Sequence, residues 1–503
     1  MPALGNRLAQ ELGLSAVAAA GTDAHLLLLS KFLRMFAYGS STLVLAVYFA
    51  ALGHSDQKIG LFMTLTLLGD VLISLLLTIV ADALGRRRIL LLSCVLMATS
   101  GIVFAITDNY YLLLVAAILG VISPSGNEIG PFRAVEESTL AHLSQPATRS
   151  DVFAWYVVLG SLGTAGGSLA AGWLVQALSG LEGWTTVEAY RMVFWVYAGL
   201  GVAKGSVVLL LSGRCEPAQS AVLRRTEREQ EAEEDGDETR PLLSEGSAAA
   251  RSTSASSAAT PPLPERNSQR KSIFAQISRN SRAILLKLCA LFSIDSLASG
   301  MIPFSLITYY LDLKFSLPKG HLGSIMATAM SIATVGNIAA SSIAKRIGLV
   351  PTMVFTHLPS AIFLACLPLP PTLSITLVLL FARSCLASMD QAPRSAFLSM
   401  VVLPAERTAV MGIVNTLKTV SQSAGPVITG VLAANGKFWI AFVAAGMLKA
   451  SYDLGLLAMF VGFKVRGDEP EGSDVVSDAP RAEPDGNEAV GITVDGSEER
   501  RSS

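Results

Sequence analysis

Charge is scarce in this chain. Only 15% of its 503 residues are Asp, Glu, Lys or Arg, against about 25% in average soluble domains. That deficit excludes an ordinary soluble globular protein. A formal net charge of −1 gives nucleic acid nothing to bind. Cysteine is also sparse: Cys94, Cys215, Cys289, Cys366 and Cys385 show no CxxC spacing, and four of them fall in apolar runs. This excludes a disulfide framework and a thiolate metal site. The five histidines show no metal-ligand spacing, and the chain has neither a phosphate-binding loop nor a Gly-x-Ser-x-Gly elbow. We therefore expect no enzyme, no cofactor and no ATP hydrolysis.

Apolar residues are abundant. The chain is 51% hydrophobic with a mean hydropathy of +0.51. Windows of about 20 nearly uncharged residues recur, the length of helix that crosses a bilayer. Hydropathy and breaks predict spans at 27–51, 59–80, 89–107, 110–128, 152–178 and 191–212, then 283–311, 321–343, 351–369, 372–390, 409–434 and 437–463. The expected fold is thus an all-α integral membrane protein in the lipid bilayer, with twelve transmembrane helices in two six-helix bundles, 27–212 and 283–463. Residues 1–26 lack a basic stretch followed by a cleavage site, so the first span is expected to stay in place. The segments 213–282 and 464–503, rich in Ser, Pro and charge, are expected to be disordered.

One loop bunches its charge. In TIVADALGRRRILLL, residues 78–92, an Asp, a Gly and three Arg interrupt two apolar runs. Arg86, Arg87, Arg88, Arg133, Arg149, Lys345, Arg346, Arg394 and Arg407 would share one side of the membrane. Lys58, Arg191, Lys314, Lys319 and Lys437 would share the other. The positive-inside rule puts the first group, both termini and the linker in the cytosol.

The halves echo each other. PATRS at 146–150 returns as PAERT at 404–408, 258 positions later, and each precedes a span dense in small residues. In register with a six-plus-six layout, this spacing favours an internal duplication of the transporter kind.

With these features the sequence resembles the major facilitator superfamily, over nearly the whole chain except linker and tails. The family's loop between its second and third helices reads roughly G-x-x-x-D-x-x-G-R-R/K; here it is Thr78-x-x-x-Asp82-Ala-Leu-Gly85-Arg86-Arg87. Thr78 departs from the pattern, and the second-half counterpart Ala344-Lys345-Arg346-Ile-Gly348 lacks the acid. The resemblance implies that Asp82, with Gly85 for the turn and Arg86 and Arg87 for pairing, gates the two halves on the cytosolic side. A plain positive-inside anchor is the alternative. GNEIGPFRAVEES, VFTHLPS, SMDQAPRSAF and ERTAVMG resemble signature segments of a smaller, poorly characterised branch that fixes no substrate.

Charge at the bilayer centre costs roughly 2.5–3.5 kcal/mol on insertion scales, so each such residue needs a reason. Asp70, Asp295, Arg383, Lys418, Lys449 and Asp453 lie deep in their spans; Lys31, Arg34 and Glu128 lie nearer the cytosolic ends. The resemblance places Arg34, Glu128, Asp295 and Arg383 on the cavity-lining first, fourth, seventh and tenth helices. We expect Asp295 and Arg383 to form a switchable pair with Asp295 as proton carrier, or else a static ion pair. Asp70 is a second proton candidate or a packing group, and Glu128 with Asn127 a vestibule lining or a helix cap. Lys449 and Asp453, at i and i+4, are expected to satisfy each other, and His357 to be a packing residue. Tyr38, Tyr309 and Tyr310 suit either solute contact or interface anchoring. The partners implied are a small-molecule solute and protons.

The linker carries a candidate address. Glu238 with Leu242 and Leu243 fits the acidic dileucine pattern read by sorting adaptors, pointing to a vacuolar or other endomembrane, with the plasma membrane as the alternative. The expectation is a proton-coupled secondary transporter of a small organic solute, tilted towards export. A transceptor signalling through the linker is the rival, and a proton-coupled importer is the other alternative.

Overall fold

A computed structural model describes residues 14–460, apart from 121, 123, 125–130, 146–147, 217–278, 392, 395–396 and 399–406. Among the described residues there are helices and connections but no strands. A short α1 (Leu14–Ala19) leads into α2 (Thr22–Ala51), α3 (Asp56–Leu84) and α4 (Arg86–Ile106). The fourth span is described as α5 (Tyr110–Gly120) and α6 (Pro131–Leu143), and α7 (Arg149–Ser179) and α8 (Thr186–Leu209) close the first half. The second half opens with α9 (Arg279–Met301) and α10 (Phe304–Phe315), separated at Pro303, where a missing N–H interrupts the helix. Then come α11 (Lys319–Ile347), α12 (Leu349–Cys366), α13 (Leu373–Ala387), α14 (Arg407–Ser423), α15 (Gly425–Ala434) and α16 (Phe438–Phe460).

Eight of these segments are long and apolar enough to cross a membrane, with α5 and α13 as shorter apolar helices. Their order agrees with the twelve expected spans. The first helix starts five residues before the expected 27, and α9 starts four residues inside the expected linker. The rest of the linker, residues 217–278 with the dileucine Glu238, Leu242 and Leu243, lies outside the described residues, as do the tail and Glu128.

Large apolar side chains such as Leu112, Val115, Val335, Ile338, Ile375, Val378 and Leu454 are exposed on the helices. In hydrocarbon that exposure costs nothing. Aromatic packing fills the outer part of the first half, where Tyr48, Phe49, Phe62, Phe104 and Phe194 are fully buried against one another.

The two halves meet near the loops at 52–55, 316–318 and 435–437, called here the outer side. Tyr309 donates to Asp56 at 2.6 Å, Trp173 to Ser324 at 3.1 Å, and the Gly320 amide to Gln176 at 2.8 Å. Deeper, the Val427 amide donates to Thr64 at 3.1 Å, and Ser305 donates to the carbonyls of Thr42 and Pro124 at 2.9 Å each. Among the described residues every hydrogen bond between the halves lies in this outer portion. Backbone approaches there too: a Cβ on Gly172 would meet Gly323, and one on Gly60 would meet the Pro426 carbonyl. Tyr309, expected to suit solute contact or interface anchoring, bonds across this seal.

Candidate functional site

Each half is tied internally by one buried ion cluster. In the first half Glu136 on α6 is fully buried. It accepts from Arg34 of α2 at 2.5 Å, from Tyr156 of α7 at 3.0 Å and from Ser30 at 3.4 Å. Lys204 of α8 stands 3.3 Å from its other oxygen and donates to Ser93. Lys31, one turn before Arg34, lies 4.3 Å above the Tyr156 ring. One carboxylate thus gathers four helices. Removing one partner of such a buried pair typically costs about 3–5 kcal/mol.

In the second half Asp295 on α9 plays the central part. It accepts from Lys449 of α16 at 2.8 Å and from Arg394 at 3.0 Å. Lys449 also donates to Ser299 at 2.7 Å. Arg394 reaches Asp390 with its other nitrogen and lies over the rings of Phe292 and Tyr452. His357 of α12 stands 3.8 Å from Asp295 and shares its Nδ1 with both oxygens of Asp453, at 2.9 and 3.0 Å.

The clusters occupy equivalent positions. Gly39 on α2 lies against the Thr164 backbone, and Gly300 on α9 against the Gln422 backbone, so closely that a Cβ would collide in either place. Thr164 and Gln422 are 258 positions apart, the spacing of PATRS and PAERT. Gly39 and Gly300 are 261 apart, as are Arg34 and Asp295; Glu136 and Arg394 are 258 apart. Gly201 packs on Ala98 and Gly446 on Ala361, which aligns Lys204 with Lys449. The first half has base on the first helix and acid on the fourth. The second has acid on the seventh and base on the tenth. In both, the last helix sends a lysine to the acid. The same registers put His357 where the first half has Cys94, and Asp453 where it has Val208, so this pair is peculiar to the second half.

Two expected pairings are corrected. Asp295 pairs with Arg394 and Lys449 and not with Arg383, because Arg383 lies 11 residues earlier on the tenth span, roughly 16 Å away along a helix. Lys449 and Asp453 do not satisfy each other; each finds a partner on another helix. His357, expected only to pack, joins the ion cluster. Glu136, Lys204 and Asp390 were not singled out from sequence. The 258-residue spacing pairs Glu136 with Arg394 and was the signal available.

Two deep residues stand apart. Asp70 on α3 is fully buried, and neither carboxyl oxygen has a hydrogen-bond partner among the described residues. Arg383 on α13 is half-buried, and among the described residues its side chain makes no hydrogen bond or ion pair.

The charged loop holds its own half together. Gly85 takes a positive φ of +87°, which opens the turn into α4, and Gly348 repeats it at +90° before α12. Glu216 accepts from the Arg86 and Arg87 amides at 2.9 Å each, capping the helix where positive partial charge collects. Arg87 donates to the Leu209 carbonyl at 2.5 Å and Arg86 to that of Ser138 at 3.5 Å. Leu209 and Ser138 belong to the first half and Glu216 to the first residues of the expected linker, which are ordered here; the Asp82 side chain lies outside those described. Beside them burial pushes the Cys215 thiol up to about 11, so it stays protonated.

The family model for the Major Facilitator Superfamily matches residues 27–312 and 288–484. An uncharacterised membrane protein of Saccharomyces cerevisiae, YJR124C, is 35% identical over 449 residues, 88% of this chain and 95% of its own length. Among solved structures, the nucleoside transporter NupG superposes with a TM-score of 0.60 at 15% identity, covering 88% of this chain and 99% of that one. A D-xylose-proton symporter gives 0.61 at 12%, covering 86% and 96%.

Proposed function

This chain belongs to the major facilitator superfamily, and on that premise we propose that it moves a small organic solute by alternating access, coupled to protons. The carrying observation is the division of bonds. Each half is locked by its own buried ion cluster, whereas hydrogen bonds between the halves gather on the outer side among the described residues. Rigid halves joined by a breakable seal are what rocking requires. In this reading the carrier is closed on its outer side, and solute enters from the side of the termini.

Asp70 is the proton carrier in this reading. Asp295 already has two cations in contact, so its charge is compensated in place. Asp70 has no such compensation, and an ionised carboxylate there would be expensive. A carboxyl that is neutral here and ionises when the halves rock would couple proton release to the cycle. Fold likeness to a D-xylose-proton symporter agrees with proton coupling.

Gly163, Gly166 and Gly167 of α7 pack closely on Phe32 and Phe36 of α2. Direction, solute and membrane are read out together by one experiment. Metabolites are profiled in cytosol, vacuole and medium of cells lacking or overproducing the protein. Reciprocal movement of one compound between two compartments supports transport; altered nutrient signalling with no moved compound favours the transceptor. The acidic dileucine at Glu238, Leu242 and Leu243 supports an adaptor-sorted endomembrane or vacuolar address. Replacing both leucines with Ala redistributes a tagged protein if it acts, and unchanged localisation ends that reading.

A further inference from the structure

With Asp70 neutral, as in the reading above, the interior charges leave a remainder of one sign. Glu136, Asp295, Asp390 and Asp453 each have a cation or an imidazole in contact. Arg383 and Lys418 are interior cations with no carboxylate in contact among the described residues. Arg383 shares a helix face with buried Thr376 and Leu380, turned away from exposed Ile375 and Val378. Its nitrogens donate to nothing described, and packed protein seals none of them. Lys418 on α14 stands one turn after core Val414, at the edge of a polar stripe that continues through Asn415, Thr419 and Gln422. A stripe of that kind does not face lipid. Helix α14 packs between α9 of its own half and α3 of the other, which sets the stripe at the junction of the halves. Lys418 lies 5.9 Å from the Phe292 ring and makes no hydrogen bond or ion pair among the described residues.

A lone cation at membrane depth is costly unless something answers it. A packing arginine would be spent on carbonyls or a carboxylate, as Arg394 and Arg87 are. We propose that the solute is an organic anion, its carboxylate or phosphate held by Arg383 deep in the cleft, with Lys418 on the wall drawing it in from the terminus side. This rests on the transport reading and names its substrate class. A planar guanidinium takes either anion with two parallel N–H donors.

The test is binding, which stands apart from flux. Full-length protein in detergent is unfolded by heat at matched ionic strength with succinate, glycerol 3-phosphate, glucose, choline or extra chloride. Succinate or glycerol 3-phosphate should raise the midpoint, the responding arm telling carboxylate from phosphate; glucose, choline and chloride should not. Arg383→Gln should weaken apparent affinity about tenfold or more, Arg383→Lys should recover part, and Lys418→Gln should weaken binding less and blunt its salt dependence. If Arg383→Gln fails to fold, Arg383→Lys and Lys418→Gln carry the comparison. Stabilisation by glucose or choline, an anion effect indifferent to both variants, or no response to either anion overturns the assignment. The transport reading falls separately, through absence of any compound moved in cells.

Discussion

Arg34 and Asp295 hold the same place in the two halves and carry opposite charges. Their partners are exchanged in step, Glu136 for the first and Arg394 for the second. What the duplicated halves share is therefore a complementary pair between the first and fourth helices of each half. The sign at either position is free provided the other answers it.

Exchange of the pair should accordingly be tolerated where single changes are not. Arg34→Asp or Glu136→Arg leaves a buried charge facing its like, and should cost about 3–5 kcal/mol in thermal unfolding of the purified protein. The double variant copies the second-half arrangement and should recover at least half of the loss. Lys204 still meets an acid there, as Lys449 meets Asp295.

Asp70→Asn should leave the melting temperature equal to or above that of wild type at neutral pH, since a neutral side chain replaces a carboxyl with no counter-ion. Downhill flux of the identified solute should persist while its dependence on a pH gradient disappears. Full pH-driven accumulation by this variant would remove Asp70 from the mechanism.

Close backbone approach predicts a steep position effect. Gly300→Leu drives a side chain into the Gln422 backbone and should cost about 3 kcal/mol or more. Gly199→Ala has open space around its Cβ and should change stability by less than about 0.5 kcal/mol. Yield of folded protein by size-exclusion chromatography separates the two.

Glu216→Ala removes the acceptor for the Arg86 and Arg87 amides. A loss of about 1 kcal/mol is expected, felt as faster hydrogen exchange in the first turn of α4 with the core of that helix unchanged.

The helices, their order and the duplication were legible in sequence because hydropathy and a five-residue echo are local signals. The ion clusters were legible only in part. Asp295 announced itself as an acid in an apolar span, but its partners come from helices more than 90 residues away, and α13 carries a decoy in Arg383. Lys204 was hidden by the apolar run around it. His357 read as packing because its acid, Asp453, had been assigned to Lys449 by i, i+4 spacing, a rule for isolated helix surfaces that interior contacts overrode.

Rocking of two rigid halves is tested most directly by distance. Spin labels at Ser150 and Ile347, at the terminus-side ends of α7 and α11, and at Ser179 and Leu313 on the outer side report the two faces by pulsed electron paramagnetic resonance in lipid nanodiscs. Two populations are predicted, one with the outer pair close and the terminus-side pair apart and one with the reverse, their ratio shifting between pH 5 and pH 8 in wild type and not in Asp70→Asn. A single fixed distance on each side at every pH would contradict alternating access.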